Sequence, residues 1–213
     1  MKKIKFAIIG NPISHSLSPT MHNYWFDKYN IKAEYELLNT EESEIQNVIN
    51  KIKDKEIKGI NVTLPYKKTV IPFLSKIIND AKETHSVNTI ILDDHGNLIG
   101  ENTDVFGFQA AYLKSIPGQE KKSKKVLILG AGGVAPSIIY ALLKSNILDI
   151  SLTNRTHERS LFIKKNFKGI NIINWNDFSK YLYKFDIIIN ATSLGLKPSD
   201  EFQNDFSNFK KNM

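Results

Sequence analysis

Apolar residues at 45, 48, 49 and 52 of the segment Glu42–Ile52 recur at the spacing of one helical face, whereas Tyr35–Leu38 alternates and Phe6–Ile9 is a short apolar run. The first period predicts a helix and the other two patterns predict strands. Read this way, the first half of the chain alternates. A strand at Phe6–Ile9 is closed by the polar loop Gly10–Pro19, then come a helix over Met21–Tyr29, the strand Tyr35–Leu38 and the helix Glu42–Ile52. A strand at Gly59–Thr63 and a helix-prone stretch at Lys68–Ile78 follow. Asn88–Leu92 and Leu98–Gly100 flank Asp94-His95-Gly96-Asn97, a hairpin-turn signal. Repeated strand–helix alternation predicts a mostly parallel sheet with helices on both faces.

The second half starts the pattern again. Val126-Leu127-Ile128-Leu129 reads as a buried parallel strand, runs into Gly130-Ala131-Gly132-Gly133-Val134-Ala135, and gives way to the helical Ile138–Leu143. Phe106–Ser115 fits a connecting helix, with the boundary between halves near Asn102–Ser123. The expected fold class is α/β, with two α/β domains spanning 1–103 and 104–213.

Composition narrows the function little. Of 213 residues, 41% are hydrophobic and 24% charged, as in an ordinary soluble globular protein. The net charge of +7 comes from scattered lysines without a basic–aromatic run, which argues against a nucleic-acid surface. Lys121-Lys122 and Lys124-Lys125 form the one dense cluster and read as a solvated linker. A basic surface still favours anionic substrates through long-range attraction. The chain has no cysteine, which excludes disulfides, thiolate metal sites and cysteine nucleophiles; no metal site is expected. The apolar run after Met1-Lys2-Lys3 is too short for a signal core, and no stretch reaches transmembrane length. A cytoplasmic location is expected.

Gly130, Gly132 and Ala135 fit the G-x-G-x-x-A form of the dinucleotide fingerprint, with a strand before and a helix after. Gly130 permits the tight turn, Gly132 lets backbone approach a pyrophosphate, and Ala135 lets helix and strand pack closely. Gly130, Ala131, Gly132, Gly133 and Val134 are therefore candidate cofactor residues. The next strand, Ile150–Thr153, ends at Asn154-Arg155-Thr156, with Arg159 shortly after. An NAD site would carry an acidic residue here for the ribose hydroxyl. A guanidinium instead suits a 2′-phosphate, which it can hold through two parallel hydrogen bonds. Arg155 and Arg159 are the only arginines in the chain. NADP is the expected cofactor, with Asn154, Arg155, Thr156 and Arg159 as its candidate contacts. The competing reading is a solvated helix start capped by Thr156.

Three polar segments fall at predicted strand ends, where open α/β sheets build their sites. The first, Asn11-Pro12-Ile13-Ser14-His15-Ser16-Leu17-Ser18-Pro19, offers hydroxyls to a substrate carboxylate or caps the next helix. His15 and His22 fit a structural role at least as well as a catalytic one. In the second, Asn61-Val62-Thr63-Leu64-Pro65-Tyr66-Lys67, Asn61 and Thr63 point the same way, and Pro65 ends the strand so that Lys67 can project from the loop. The third is Glu101-Asn102-Thr103-Asp104. A lysine near a carboxylate, beside a nicotinamide, could exchange a proton with a substrate hydroxyl.

The combination resembles the shikimate dehydrogenase family from about Phe6 to about Ser199. It is carried by Gly10-x-Pro12 with His15-Ser16-x-Ser18-Pro19-x-x-His22-Asn23, by Asn61-Val62-Thr63-x-Pro65-x-Lys67, and by Val87-Asn88-Thr89. Asn102-Thr103-Asp104-x-x-Gly107, Gly130-Ala131-Gly132-Gly133, Asn154-Arg155-Thr156 and Asn190-Ala191-Thr192-Ser193-x-Gly195 continue it. The resemblance implies an N-terminal substrate-binding and catalytic domain and a C-terminal Rossmann-type NADP-binding domain. It implies Lys67 as catalytic acid/base with Asp104 as its partner on the substrate hydroxyls. Ser14 and Ser16 would hold the substrate carboxylate, Thr63 and Asn88 would contact the substrate nearby, and Arg155 with Arg159 would clamp the 2′-phosphate. The implied reaction is the reversible NADP-dependent reduction of 3-dehydroshikimate to shikimate, in aromatic amino-acid biosynthesis.

The chain departs from the family pattern in two places. His85-Ser86 stands where the family usually has Gly-Ala, a bulkier pair expected to disturb the loop carrying Asn88. After Asn190–Gly195 the family continues with another strand, a Tyr-Asn-Pro segment and a closing helix, whereas this chain ends at Lys210-Lys211-Asn212-Met213. The C-terminal domain is therefore expected to be incomplete, with an unfinished sheet edge at Leu194–Leu196. A quinate/shikimate dehydrogenase and a catalytically silent metabolite-binding module remain as alternatives. The expected partners are a small-molecule substrate and NADP, without nucleic acid or membrane, and a homodimer is left open.

Overall fold

The computed structural model describes residues 3–195 and 204–209, the side chain of residue 119 excepted. Its contacts divide the chain between Thr103 and Asp104 into two compact units. The first contains β1 (Ile4–Gly10), α1 (Ser18–Lys28), β2 (Ala33–Asn39), α2 (Ile45–Lys53), β3 (Gly59–Val62), β4 (Lys76–Ile77), α3 (Asp80–Thr84), β5 (Thr89–Leu92) and β6 (Leu98–Glu101). They form one six-stranded sheet in the order β2-β1-β3-β5-β6-β4.

Helix α2 forms as its spacing predicts. Ile45, Val48, Ile49 and Ile52 are all buried, against Ala7, Ile9, Ile60 and Val62 of β1 and β3. Full burial of such side chains is worth roughly 1.5–3 kcal/mol each. The opposite face is thinner. Ile8, Ile13 and Tyr35 make a small cluster with Phe26 of α1, yet α1 itself buries no residue.

The sheet is mixed. β1 pairs in parallel with β2 and β3, and β4 with β6, whereas β5 is antiparallel to both β3 and β6. At the hairpin tip the Asp93 carboxylate accepts the N–H groups of His95 (3.0 Å) and Asn97 (2.8 Å), and Gly96 takes φ +80°. The backbone N–H of Asn97 is the main reason that the Asp93 carboxyl sits below its ordinary pKa. Asn61 lies opposite Thr89, and Thr89 opposite Glu101. The base of the hairpin, not its tip, therefore meets the carboxyl end of β3.

The helix expected over Lys68–Ile78 is not formed. A 3-10 turn at Ile71–Phe73 is followed by extended Leu74 and by β4. Pro72 explains the break: it has no N–H to donate, a loss that a continuous helix from Lys68 would meet in its interior and that the first turn of a short 3-10 segment tolerates. Ser75 N–H is free to turn outward and bonds Leu98 C=O (2.9 Å), which joins the segment to the sheet.

The second unit contains α4 (Asp104–Ala111), α5 (Gly118–Lys121), β7 (Lys125–Leu129), α6 (Ala135–Lys144), β8 (Asp149–Thr153), α7 (His157–Asn166), β9 (Asn171–Ile172) and β10 (Ile187–Asn190). Its strands are all parallel, in the order β10-β7-β8-β9. That is the first-half order of a Rossmann sheet, read 3-2-1-4 from β9. The helix expected at Phe106–Ser115 starts at Asp104, stops at Ala111 and continues as a 3-10 turn at Leu113–Ser115. Gln109 ties it to α6 by donating to Ser145 Oγ (3.2 Å) and Ala141 C=O (3.4 Å). The lysine cluster is no plain linker. Lys121 ends α5, Lys124 pairs with Glu120 at 3.2 Å, and Lys125 opens β7.

Of the expected sheet edge at Leu194–Leu196, Leu196 lies outside the described residues, as does Lys210–Met213. Among the described residues no helix is long and apolar enough to cross a membrane.

Candidate active site and cofactor site

In the second unit the strand order reverses between β7 and β10, and open α/β sheets bind ligands in the crevice outside such a switch point. The glycine turn lies there. Gly130 has φ +104°, and a Cβ on it would stand 2.8 Å from Ala191 C=O and from Thr192 Cγ2. Only glycine fits both the backbone and the space. Its N–H bonds Thr153 C=O (2.8 Å), and Ala191 N–H bonds Leu129 C=O (2.7 Å), so the turn is wedged between the ends of β8 and β10. Gly132 differs: a Cβ there would meet only Ala191 O, at an ordinary 3.7 Å. The protein's own packing gives no reason for glycine at 132.

Asn154 braces the turn from β8. Its Oδ1 accepts Ala131 N–H (3.0 Å), and its Nδ2 donates to Thr156 C=O (2.8 Å). Thr156 occupies the cap position of α7 without a capping side-chain hydrogen bond, so the helix-cap alternative is not what holds this segment. Arg155 and Arg159 are exposed, and neither pairs with a carboxylate among the described residues. Helix α6 presents few first-turn donors, because Ala135 N–H already bonds Gly132 C=O (3.2 Å) and Pro136 has no N–H.

In the first unit three loops meet at the carboxyl ends of β1 and β3. A Cβ on Gly10 would lie 2.6 Å from Thr63 Cγ2 and 2.8 Å from Leu64 O, so the glycine lets the two loops touch. Asn11 N–H bonds Leu64 C=O (3.0 Å), and Thr63 N–H bonds Ile9 C=O (2.9 Å). Tyr66 is buried, and its hydroxyl donates to Thr40 C=O (2.8 Å). That burial raises the Tyr66 pKa, partly opposed by the Asn11 side chain.

Lys67 follows Pro65 in the loop beyond β3. It is 8% exposed. Its carbonyl accepts Val87 N–H (2.8 Å), one residue before Asn88. Asn88 is half-buried; its Oδ1 accepts Thr103 N–H (3.0 Å) and the Thr89 hydroxyl (3.0 Å), and its Nδ2 donates to Thr103 Oγ1 (3.0 Å). The hydroxyls of Ser14 and Thr63 make no hydrogen bond among the described residues. Ser16 Oγ accepts Ser18 N–H at 3.3 Å, just ahead of α1, whose cap position is Leu17 without a side-chain capping bond. Asp104 belongs to the second unit, where it opens α4.

The unusual His85-Ser86 pair is absorbed locally. His85 takes the left-handed φ of +46° that glycine would adopt without strain, and its side chain is exposed. Ser86 is buried, and its carbonyl accepts Asn102 Nδ2 (2.7 Å). Beyond it Val87 and Asn88 remain pinned, with Asn88 N–H on Glu101 C=O (3.0 Å).

Some residues that build these loops were visible in the sequence only as members of a motif. Asn190 is one: its Oδ1 accepts Thr192 N–H (3.0 Å), its Nδ2 donates to Leu194 C=O (2.9 Å), and the resulting loop walls Gly130. The Asn-x-Thr spacing was the available signal, since such side chains bond the backbone two residues on.

The comparisons agree with this anatomy. Residues 8–90 match the family described as shikimate dehydrogenase substrate binding domain, and residues 113–196 match shikimate / quinate 5-dehydrogenase. The chain is 47% identical over 211 residues to a shikimate dehydrogenase (NADP(+)) of Pelagibacter ubique, covering 99% of this chain and 77% of that protein. It is 41% identical over 196 residues to one of Staphylococcus epidermidis, covering 92% and 70%. The crystal structure of shikimate dehydrogenase from Aquifex aeolicus aligns with TM-score 0.88 at 33% identity, over 98% of this chain and 76% of that one. The Thermus thermophilus enzyme in complex with NADP(H) and shikimate aligns with TM-score 0.82 at 28% identity, over 97% and 75%. With this identity along nearly its whole length, and with both family models matched, the chain belongs to the shikimate dehydrogenase family.

Proposed function

We propose that this chain is an NADP-dependent shikimate dehydrogenase that interconverts 3-dehydroshikimate and shikimate. The observation that carries the reading is its 47% identity, over 99% of its length, to a protein named for that activity. A related enzyme crystallised with NADP(H) and shikimate supports the same pair of ligands. The reading extends to a cytoplasmic protein that uses small-molecule partners and no nucleic acid, with a homodimer as an allowed assembly.

The residues present fit the cofactor. A Cβ at Gly132 would meet only Ala191 O, at 3.7 Å, and α6 offers few first-turn amides, which supports a pyrophosphate lying against the backbone of the turn. Arg155, supported by Arg159, would hold the 2′-phosphate; Asn154 would keep turn and strand end in register and leaves the site without a repelling carboxylate. When bound, the cofactor supplies hydride transfer.

The remaining chemistry belongs to side chains of this chain. Ser14 and Ser16 are assigned to the substrate carboxylate, and Thr63 and Asn88 to neighbouring substrate oxygens. Lys67, as an ammonium, gives its proton to the ketone oxygen as that carbon is reduced, and the amine takes the proton back from the hydroxyl in the reverse direction. Asp104 is assigned to the substrate hydroxyls. Burial of Lys67 limits proton exchange with bulk water, and transfer of this kind typically contributes about 10²–10⁴-fold.

The test is NADPH oxidation on addition of 3-dehydroshikimate. Turnover is expected, and Lys67→Ala should cut kcat by about 10²-fold or more with a small change in substrate KM. Absence of turnover by the parent chain refutes the function. A near-normal kcat with a raised KM in the variant refutes the acid/base role of Lys67.

A further inference from the structure

Four residues of the first unit, His22, Asn23, Tyr35 and Asn61, are assigned to no ligand, yet they join in one line that ends at Asn88. β2 is an edge strand, so Tyr35 turns one pair of backbone groups away from β1. Asn23 satisfies both: its Oδ1 accepts Tyr35 N–H (2.9 Å), and its Nδ2 donates to Tyr35 C=O (3.0 Å). The His22 ring stacks on the Tyr35 ring at 4.3 Å, the planes 13° apart. Held from two sides and 5% exposed, Tyr35 reaches across β1 and donates its hydroxyl to Asn61 Oδ1 at 2.6 Å.

That bond sets the next one. With Oδ1 accepting, Asn61 must turn Nδ2 the other way, where it donates to Asn88 C=O (3.2 Å) and Thr89 Oγ1 (3.1 Å). Thr89, accepting there, directs its own proton to Asn88 Oδ1 (3.0 Å). The chain of donors thus acts together with Thr103 N–H, which bonds the same oxygen (3.0 Å), to set which end of the Asn88 amide accepts and which end donates. An amide is nearly symmetric in shape, so packing alone would not choose between its two orientations. The thin packing on this face, where α1 buries no residue, makes hydrogen bonding the deciding influence.

We infer that Tyr35, Asn61 and Thr89 are positioning residues for shikimate binding, acting through Asn88 while His22 and Asn23 hold Tyr35 in place. The inference rests on the proposed role of Asn88 as a substrate contact. Reversal of the Asn88 amide would present a carbonyl where a donor is needed, so the loss falls on substrate affinity and not on the cofactor.

Shikimate affinity by calorimetry and NADPH affinity by fluorescence, both well below the melting temperature, test this on the full chain. Tyr35→Phe keeps the ring stack and removes only the hydroxyl; it should weaken shikimate about three- to tenfold and leave NADPH unchanged. Thr89→Val should do the same, and Thr89→Ser should restore what Thr89→Val loses. In an Asn88→Ala background Tyr35→Phe should add nothing, because its path to the substrate is already cut. A merely structural role would lower both affinities together and would add independently to Asn88→Ala; either result overturns the inference. If Asn88→Ala weakens shikimate while Tyr35→Phe and Thr89→Val do not, the positioning line is wrong and the role of Asn88 stands. If Asn88→Ala leaves shikimate affinity unchanged, the role of Asn88 fails and the positioning line falls with it.

Discussion

Gly130→Ala and Gly132→Ala, two residues apart in one turn, should have opposite consequences. Gly130 sits at φ +104°, where an L-residue costs about 1–2 kcal/mol. Its new methyl would also press on Ala191 O at 2.8 Å and Ala191 C at 2.9 Å, backbone atoms that cannot rotate away. Forcing the end of β10 to shift costs a further ~1–3 kcal/mol, as overpacking does elsewhere. At ~2–4 °C per kcal/mol for a chain of this length, the melting temperature should fall by roughly 4–20 °C. Gly132 carries neither burden: its closest neighbour would be 3.7 Å from the new Cβ, and its φ is not left-handed. Gly132→Ala should leave stability unchanged or raise it by about 0.4–1 kcal/mol, through the less flexible unfolded chain. Its effect should appear on NADPH instead, as a loss of affinity of about tenfold or more, because the methyl stands where a pyrophosphate would approach. Thermal melts without nucleotide, followed by NADPH titration, separate the two. Equal melting temperatures would refute the steric argument for Gly130. Undiminished NADPH affinity in Gly132→Ala would refute the placement of the pyrophosphate.

Arg155→Ala should weaken NADPH by about 1.5–3 kcal/mol, roughly ten- to a hundredfold, with little change for NADH; equal losses in parallel titrations would remove the 2′-phosphate role. Arg159→Ala should act in the same direction more weakly. His85→Gly should stabilise the chain by about 0.5–1 kcal/mol, because relief of the left-handed strain exceeds the added freedom of glycine in the unfolded chain; a lower melting temperature would contradict this. Burial against Tyr35 holds the His22 pKa below its ordinary value, so the folded state resists protonation that the unfolded state accepts. The contribution of His22 is therefore intact above about pH 6.5 and lost as pH falls through the lower folded value. His22→Phe, which keeps a ring on Tyr35, should flatten that acid-side loss in denaturant titrations at stepped pH.

Elements with a clear period were legible in the sequence, and elements decided by single residues were not. Helix α2 follows from apolar positions 45, 48, 49 and 52, all of which are buried. The strand–glycine turn–helix at Val126–Leu143 forms as read, because each part carries its own local signal. The Lys68–Ile78 segment misled because its apolar spacing suits a helix, yet Pro72 sits in its middle. Antiparallel pairing of β5 with β3 was also invisible, since a short apolar strand looks the same in either direction. Lys67 illustrates the limit at the site. Its place after a strand-ending proline was plain, but its low exposure and the bond of its carbonyl to Val87 N–H involve residues far apart in the chain, which only the folded sheet brings near.

The motifs that identified the family contain structure-building residues as well as candidate ligand contacts, and Gly130 and Asn154 are both. Residues assigned to ligands have their backbones already committed: Thr63 N–H to Ile9, Lys67 C=O to Val87, Asn88 N–H to Glu101 and Ala131 N–H to Asn154. Their loops are therefore held in shape before any ligand arrives, and substrate or cofactor binding need not meet the ordering cost of a free loop. Gly10, Asn61, Gly130, Asn154 and Asn190 supply that closure through close approach or amide hydrogen bonds. Changes at positions that are candidate contacts only should alter binding or turnover at nearly constant stability. Changes at structure-building positions should alter both together, because the shape of the loop and the presentation of its side chains are set by the same bonds.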